Sequence, residues 1–204
     1  MIKFNQCADV DAEIITALDK YAVAIRPKRW DGKAKPVKAF KEAILTQGLI
    51  IQAEKCAWCT LTVGAMGRRT AHRDHIAPKA RYPQWTFLPK NLVVACEYCN
   101  GFAVKGELDT IENISNVYDD CEFFLVHPYN DDPREHVEFL YEVDGTRISI
   151  KSTSLKGKWT IEKLKLDSPG STIERAKEYL YLQRKNSLPS GESKLFQDAI
   201  KAFS

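Results

Sequence analysis

The sequence predicts an α+β fold with helices at both ends and a mixed centre. Three observations carry that expectation: apolar residues at helical spacing near the N-terminus, an alternating pair of segments joined by Asp-Gly at 144–145, and two Cys-x-x-Cys pairs framing the middle of the chain. With 204 residues and 44% hydrophobic content, the chain can bury a real core without disulfide staples.

The elements follow in order. Val10, Ile14, Ala17, Leu18, Tyr21 and Ile25 recur at the helical period, with Asp9 as N-cap and Pro27 as a stop. A second helix is expected from Pro36 to about Gln47, where Val37, Phe40 and Ile44 share a face and Gly48 can close the last turn. "LIIQ" (49–52) reads as a short strand leading into Cys56, and "EFFLV" (122–126) as a buried strand. "VEFLYEV" (137–143) alternates and is joined through Asp-Gly to "TRISI" (146–150), the pattern of a hairpin. "STIE" (171–174) is a capping box opening a helix to about Lys185, followed by a loop at 187–193 and a short C-terminal helix. The expected organisation is an N-terminal helical segment (1–48), a cysteine-bearing core (49–110) and a C-terminal α+β extension (111–204).

No apolar run approaches a membrane span, and the N-terminus lacks the basic-then-apolar pattern of a signal peptide, so a cytoplasmic protein without a membrane partner is expected. A net charge of +3 says little, but its distribution says more. Lys20 to Lys41 holds eight basic residues and one acid, and Arg68 to Arg81 holds five Lys/Arg, one acid and two histidines. Such stripes suit phosphate contact, although the first by itself reads as a solvated face.

Four of the six cysteines, Cys56, Cys59, Cys96 and Cys99, form the two Cys-x-x-Cys pairs. In a reducing compartment this spacing indicates a closed tetrahedral zinc site that stabilises the fold and leaves no vacancy for chemistry. Cys7 and Cys121 lack partners at metal spacing and read as buried thiols. The pairs are separated by 36 residues, too many for a hairpin tip, and the centre of that insert is "HRDHIAPK". Asp74 offers a hard oxygen ligand for Mg²⁺ or Mn²⁺, while His75, if not spent on a metal, can take a proton near neutral pH. Phosphodiester hydrolysis needs that division of labour. Asn100, directly after the second knuckle, can add another hard ligand.

Asp-His-Ile-x-Pro at 74–78, Asn91 ahead of a short apolar run, and Cys-x-x-Cys-Asn at 96–100 together resemble the HNH (ββα-metal) nuclease motif, in its variant with a final asparagine and a Cys₄ brace. The resemblance implies a zinc-braced ββα-metal core at 56–106. It implies Asp74 and Asn100 as ligands of a catalytic divalent ion, His75 as general base, and Asn91 as the residue that shapes the loop carrying His75. Lys105 corresponds to a basic residue of the motif helix, but lies five positions after Asn100 rather than three. The HNH family resemblance implies a nucleic-acid substrate, DNA in the first instance. A narrower resemblance that extends over roughly 50–185, through "HIAPKARYPQW", "VHPYNDDPREHVEFL" and "TIEKLKLDSP", is to the HNH subunit of Septu-type and retron-associated anti-phage systems, which implies an ABC-type ATPase partner.

Arg68, Arg69, Arg73, Lys79, Arg81 and Lys105 flank the motif and are candidates to hold a nucleic-acid backbone. His72 shares a strand face with Asp74, and a surface or supporting role is expected. Tyr82 and Trp85 are expected to pack rather than stack on bases. "HPYNDDPREH" (127–136) reads as a capped turn rather than a second metal site, with Asp132 as cap and Pro133 at the first position. The competing function is a zinc-stabilised nucleic-acid or protein adaptor without chemistry. A homing or restriction-type HNH enzyme acting alone is a third reading.

Overall fold

The computed structural model describes residues 1, 3–142 and 145–187. Asp144 of the Asp-Gly turn, the loop beyond 187 and the C-terminal helix expected after it lie outside those residues. Helices and small sheets are mixed along the chain. In order they are α1 (Ala12–Asp19), α2 (Arg26–Trp30), α3 (Lys35–Ile51), β1 (Ala71–His75), β2 (Leu92–Cys96), α4 (Glu97–Asn100), β3 (Ile111–Asn113), β4 (Glu122–Phe123), β5 (Val137–Tyr141), β6 (Ile148–Ser152), α5 (Leu155–Lys163) and α6 (Pro169–Ser187). Among the described residues the strands pair as three two-stranded sheets, each antiparallel. No helix among the described residues is long and apolar enough to cross a membrane.

At the N-terminal end the structure departs from the periodicity. Asp11, not Asp9, caps α1, its Oδ1 accepting from the Glu13 amide at 2.7 Å. Asp9 instead donates its amide to Gln47 on α3. Pro27 does not end a helix but sits in the first turn of α2, where its missing N–H costs nothing. Helix α3 does not stop at Gly48: it runs on through the segment expected as a strand, to Ile51. The reason is tertiary. A Cβ at Gly48 would lie 2.7 Å from Val94 Cγ2, so the missing side chain is what lets α3 cross close over β2. Only the first two residues of "EFFLV" form a strand, paired with β3.

Strands β5 and β6 form the expected hairpin, in register from Val137↔Ser152 to Tyr141↔Ile148. Helix α6 begins two residues before the capping box, with Pro169 first and the Ser171 amide donating to Ser168 Oγ. Helix α5, capped by the Ser154 hydroxyl, has no counterpart in the sequence reading.

Among the described residues, two buried clusters form the core. One gathers Leu18, Trp30, Val37, Phe40 and Ile44 of the helical segment with Phe87 and Leu92. The other joins the four cysteines, Trp58, Ile76, Val93 and Val94 to Tyr118, Phe123, Leu125, Ile161 and Leu164, so buried residues on both sides of position 110 share one core. Strand β2 contributes to both, Leu92 to the first cluster and Val93, Val94, Ala95 and Cys96 to the second.

Candidate metal and hydrolytic site

The two Cys-x-x-Cys turns meet. Their four sulfurs are buried, lie within 4.8 Å of one another, and form no disulfide. Cys59 Sγ and Cys96 Sγ are 3.8 Å apart. Four sulfurs each 2.3 Å from a tetrahedral ion would be separated by about 3.8 Å, so the donor set fits zinc, which these residues can hold. Backbone amides of Cys96 and Cys99 donate to Cys56 Sγ and Cys96 Sγ, the bonding that supports thiolate charge. Without a cation, burial pushes the Cys56 thiol well up, and a divalent ion reverses that preference.

The hairpin carries the Asp-His pair. Register places Asp74 opposite Val93 and His75 opposite Leu92, with α4 following directly on β2. Asp74 is buried, and both oxygens are engaged. Oδ2 accepts from Trp58 Nε1 at 2.7 Å, and Oδ1 from Lys105 Nζ at 2.8 Å. Trp58 lies inside the first knuckle, and the Lys105 amide donates to Cys99 O of the second, so both cysteine turns reach the carboxylate. Lys105 is buried as well, and its ammonium also donates to the carbonyl of His75. It faces Asp74 rather than solvent, and as placed it is not available to a nucleic-acid backbone.

His75 Nε2 lies 3.0 Å from the Thr86 carbonyl oxygen. A carbonyl can only accept, so Nε2 carries the ring proton and Nδ1 is left with its lone pair. Trp30 of α2 stands edge-on against the ring at 4.4 Å between centroids. Burial holds the imidazole down at about 3, with only partial relief from the Thr86 bond, so the ring is neutral near pH 7.

Thr86 belongs to a loop that Asn91 organises. Asn91 is fully buried; its Nδ2 donates to Ala77 O at 3.0 Å and Trp85 O at 3.1 Å, and its Oδ1 accepts from the Ala77 amide at 2.7 Å and Tyr118 Oη at 2.9 Å. Tyr82 and Trp85 stack on each other at 5.4 Å, and Trp85 packs on Tyr118, within this loop. Asn100 ends α4, a single turn that stops because Gly101 is extended. Its Nδ2 is 3.4 Å from His72 Nδ1. Asp74, His75, Asn100 and His72 line one cleft of about 440 Å³, shared with Trp30 and Lys79.

Of the other basic candidates, Arg69 is tied to Glu174 and Glu178 of α6 at 2.7 and 2.8 Å. Arg73 donates to the Lys41 carbonyl and lies 3.9 Å from Glu42. Lys79 is 3.5 Å from Asp31 and Arg81 3.4 Å from Asp109, while Arg68 is exposed. In the 127–136 segment, Asp132 accepts from the Arg134 amide as a cap and Asp131 accepts from the His127 amide and pairs with Lys156. Cys121 is buried and Cys7 partly so. Sequence reasoning missed Trp58, Trp30 and Tyr118. Trp58 alone had a signal, its place between two cysteines.

No family model matches the chain. It is 30% identical over 117 residues to Protein ea31 of Escherichia phage lambda, an overlap covering 56% of this chain and 33% of that protein. It is also 30% identical over 142 residues to Septu protein PtuB of Bacillus mycoides, covering 60% of this chain and 46% of that protein. The chain thus spans about a third to just under half of the curated relatives it matches.

Proposed function

We propose that this chain is a divalent-metal-dependent nuclease of the HNH type, hydrolysing phosphodiester bonds of nucleic acid in an anti-phage setting alongside an ABC-type ATPase. The observation that carries the reading is the state of His75: a neutral imidazole on the wall of a cleft, its Nε2 fixed by the Thr86 carbonyl, beside Asp74 and Asn100. That tautomer leaves Nδ1 to accept the proton of an attacking water. Asp74 is held by Trp58 and Lys105 through one bond to each oxygen, which leaves lone pairs on both for a cation. With Nδ2 of Asn100 turned to His72, its Oδ1 is the atom left to coordinate. One carboxylate and one amide suit Mg²⁺ or Mn²⁺, which keep most of their water shell; such an ion would neutralise charge on the scissile phosphate. A zinc ion held by Cys56, Cys59, Cys96 and Cys99 would brace the site and, with no open coordination position, would take no part in the reaction. The likeness to a Septu protein supports the defence setting, and the HNH-type motif order supports the chemistry.

One observation favours the adaptor reading. The Asp74 carboxylate already has a buried ammonium as its counter-charge, so the site is neutral without a metal. The two readings separate in one experiment. Purified chain, alone and with its co-purifying ATPase, is incubated with supercoiled plasmid or RNA and Mg²⁺ or Mn²⁺. Cleavage by the wild type, abolished in His75→Ala at equal zinc content and unchanged melting, is the expected result. Cleavage by His75→Ala at the wild-type rate, or binding without any metal-dependent cutting, ends the nuclease assignment.

A further inference from the structure

The N-terminal basic stripe leads into the cleft. Trp30 lines the cleft with its ring on His75, and Lys41 Nζ lies 5.2 Å over the ring of Trp30. Arg73 and Lys79, both on the cleft wall, reach back to the same segment, to the Lys41 carbonyl and to Asp31. On α3, Lys38 precedes Lys41 by three residues and Glu42 by four, so all three share a face. Lys35 opens the helix and Lys33 stands in the turn before it.

The balance of charge along this path is one-sided. From Asp31 to Glu42 the segment's two acids are already engaged, Asp31 by Lys79 and Glu42 by Arg73, while Asp74, Glu97 and Glu107 line the cleft itself. Lys33, Lys35 and Lys38 are exposed, and no ion pair engages them among the described residues. The cations also crowd one another: burial lowers the Lys41 ammonium first, the Arg73 charge lowers it further, and Asp31 offsets part of this while Lys79 adds to it. A solvated face needs no such convergence on a cleft. A polyanion relieves the repulsion, and the lysines in turn displace the cations condensed on its phosphates.

We propose that the α2–α3 turn and the start of α3 form a backbone track, on which Lys38, Lys35 and Lys33 hold successive phosphates of a nucleic-acid strand leaving the cleft. The track rests on the nucleic-acid reading of the cleft and gives the N-terminal helices a role. From Lys35 to Lys41 the helix advances about 9 Å, roughly two to three phosphate intervals at 3.4 Å of axial rise each. The recognised chemistry is the phosphodiester chain, common to DNA and RNA.

The test is fluorescence anisotropy of the full zinc-loaded chain, without Mg²⁺ or Mn²⁺, on labelled duplex DNA, single-stranded DNA and RNA across a salt series, with polyglutamate as competitor. Lys33→Gln/Lys35→Gln/Lys38→Gln is compared with a control of equal charge loss, Lys151→Gln/Lys158→Gln/Lys163→Gln. In the track variant the slope of log K against log salt shrinks by about 2 to 3 and affinity falls at least tenfold on the preferred substrate, while the control stays at wild type. An unchanged slope, an equal loss in both variants, stronger competition by polyglutamate than by unlabelled nucleic acid, or no binding by the wild type overturns the track. Failure of the nuclease reading looks different: salt-dependent binding through the three lysines with no metal-dependent cutting leaves the track standing.

Discussion

Replacing Asn91 by alanine tests how the His75 loop is held. The amide makes four hydrogen bonds at full burial, three to backbone groups of residues 77 and 85 and one to the Tyr118 hydroxyl. Truncation removes all four and leaves their partners without water. At about 1 kcal/mol for each net bond, the loss is roughly 4 kcal/mol, and unsatisfied partners push it upward. For a chain of this size that corresponds to a melting shift of about 8–16 °C, out of a total stability on the order of 5–15 kcal/mol. Asn91→Asp fares no better, because a carboxylate cannot donate to the Ala77 and Trp85 carbonyls. The assay is urea unfolding followed by tryptophan fluorescence, with plasmid cleavage measured below the transition. Cleavage is expected to fall with stability, since Thr86, the acceptor for His75, lies in the same loop. Loss of less than 1 kcal/mol for Asn91→Ala would refute the reasoning.

Lys105→Met leaves Asp74 buried with an uncompensated charge, and unfolding titrations should show a loss of about 3–5 kcal/mol, whereas the joint change with Asp74→Leu recovers much of it. Gly157→Ala drives a Cβ into the His136 carbonyl oxygen, so α5 must shift; thermal melts should report a loss of about 1–3 kcal/mol. His127, buried beside Tyr118 and Phe123, is held down at about 3 by burial. Its folded form is the less basic one, so its contribution is fully present above the unfolded value near 6.5 and is lost as pH falls toward 3. Unfolding free energies from urea titrations should drop between pH 6.5 and 4, by up to about 1.4 kcal/mol per pH unit for this residue, and His127→Phe should flatten the slope.

Much of the site could be read from spacing because its chemistry is local. Cys-x-x-Cys turns, Asp-His and Cys-Asn each place two functional groups within a few residues, and the hairpin register does the rest. What escaped was set by contacts distant in sequence. Trp30 meets His75 across 45 positions, and Lys105 turns inward because its partner Asp74 is buried there. The strand expected at 49–52 failed for a similar reason: β-branched residues favour a strand locally, but Gly48 fits α3 against Val94 and the helix continues. Helix α5 escaped because its stripe is short and Gly157 sits within it, chosen for its closeness to His136 rather than for helix propensity.

The account turns on a second, oxygen-bound cation in the cleft. Titration of Mn²⁺ into the zinc-loaded chain, followed by electron paramagnetic resonance, measures it directly. The account predicts one bound Mn²⁺ per chain at millimolar or lower concentration, lost in Asp74→Asn and weakened in Asn100→Ala, with zinc content unchanged. Equal Mn²⁺ binding by all three proteins, or none by the wild type in the presence of nucleic acid, would contradict it.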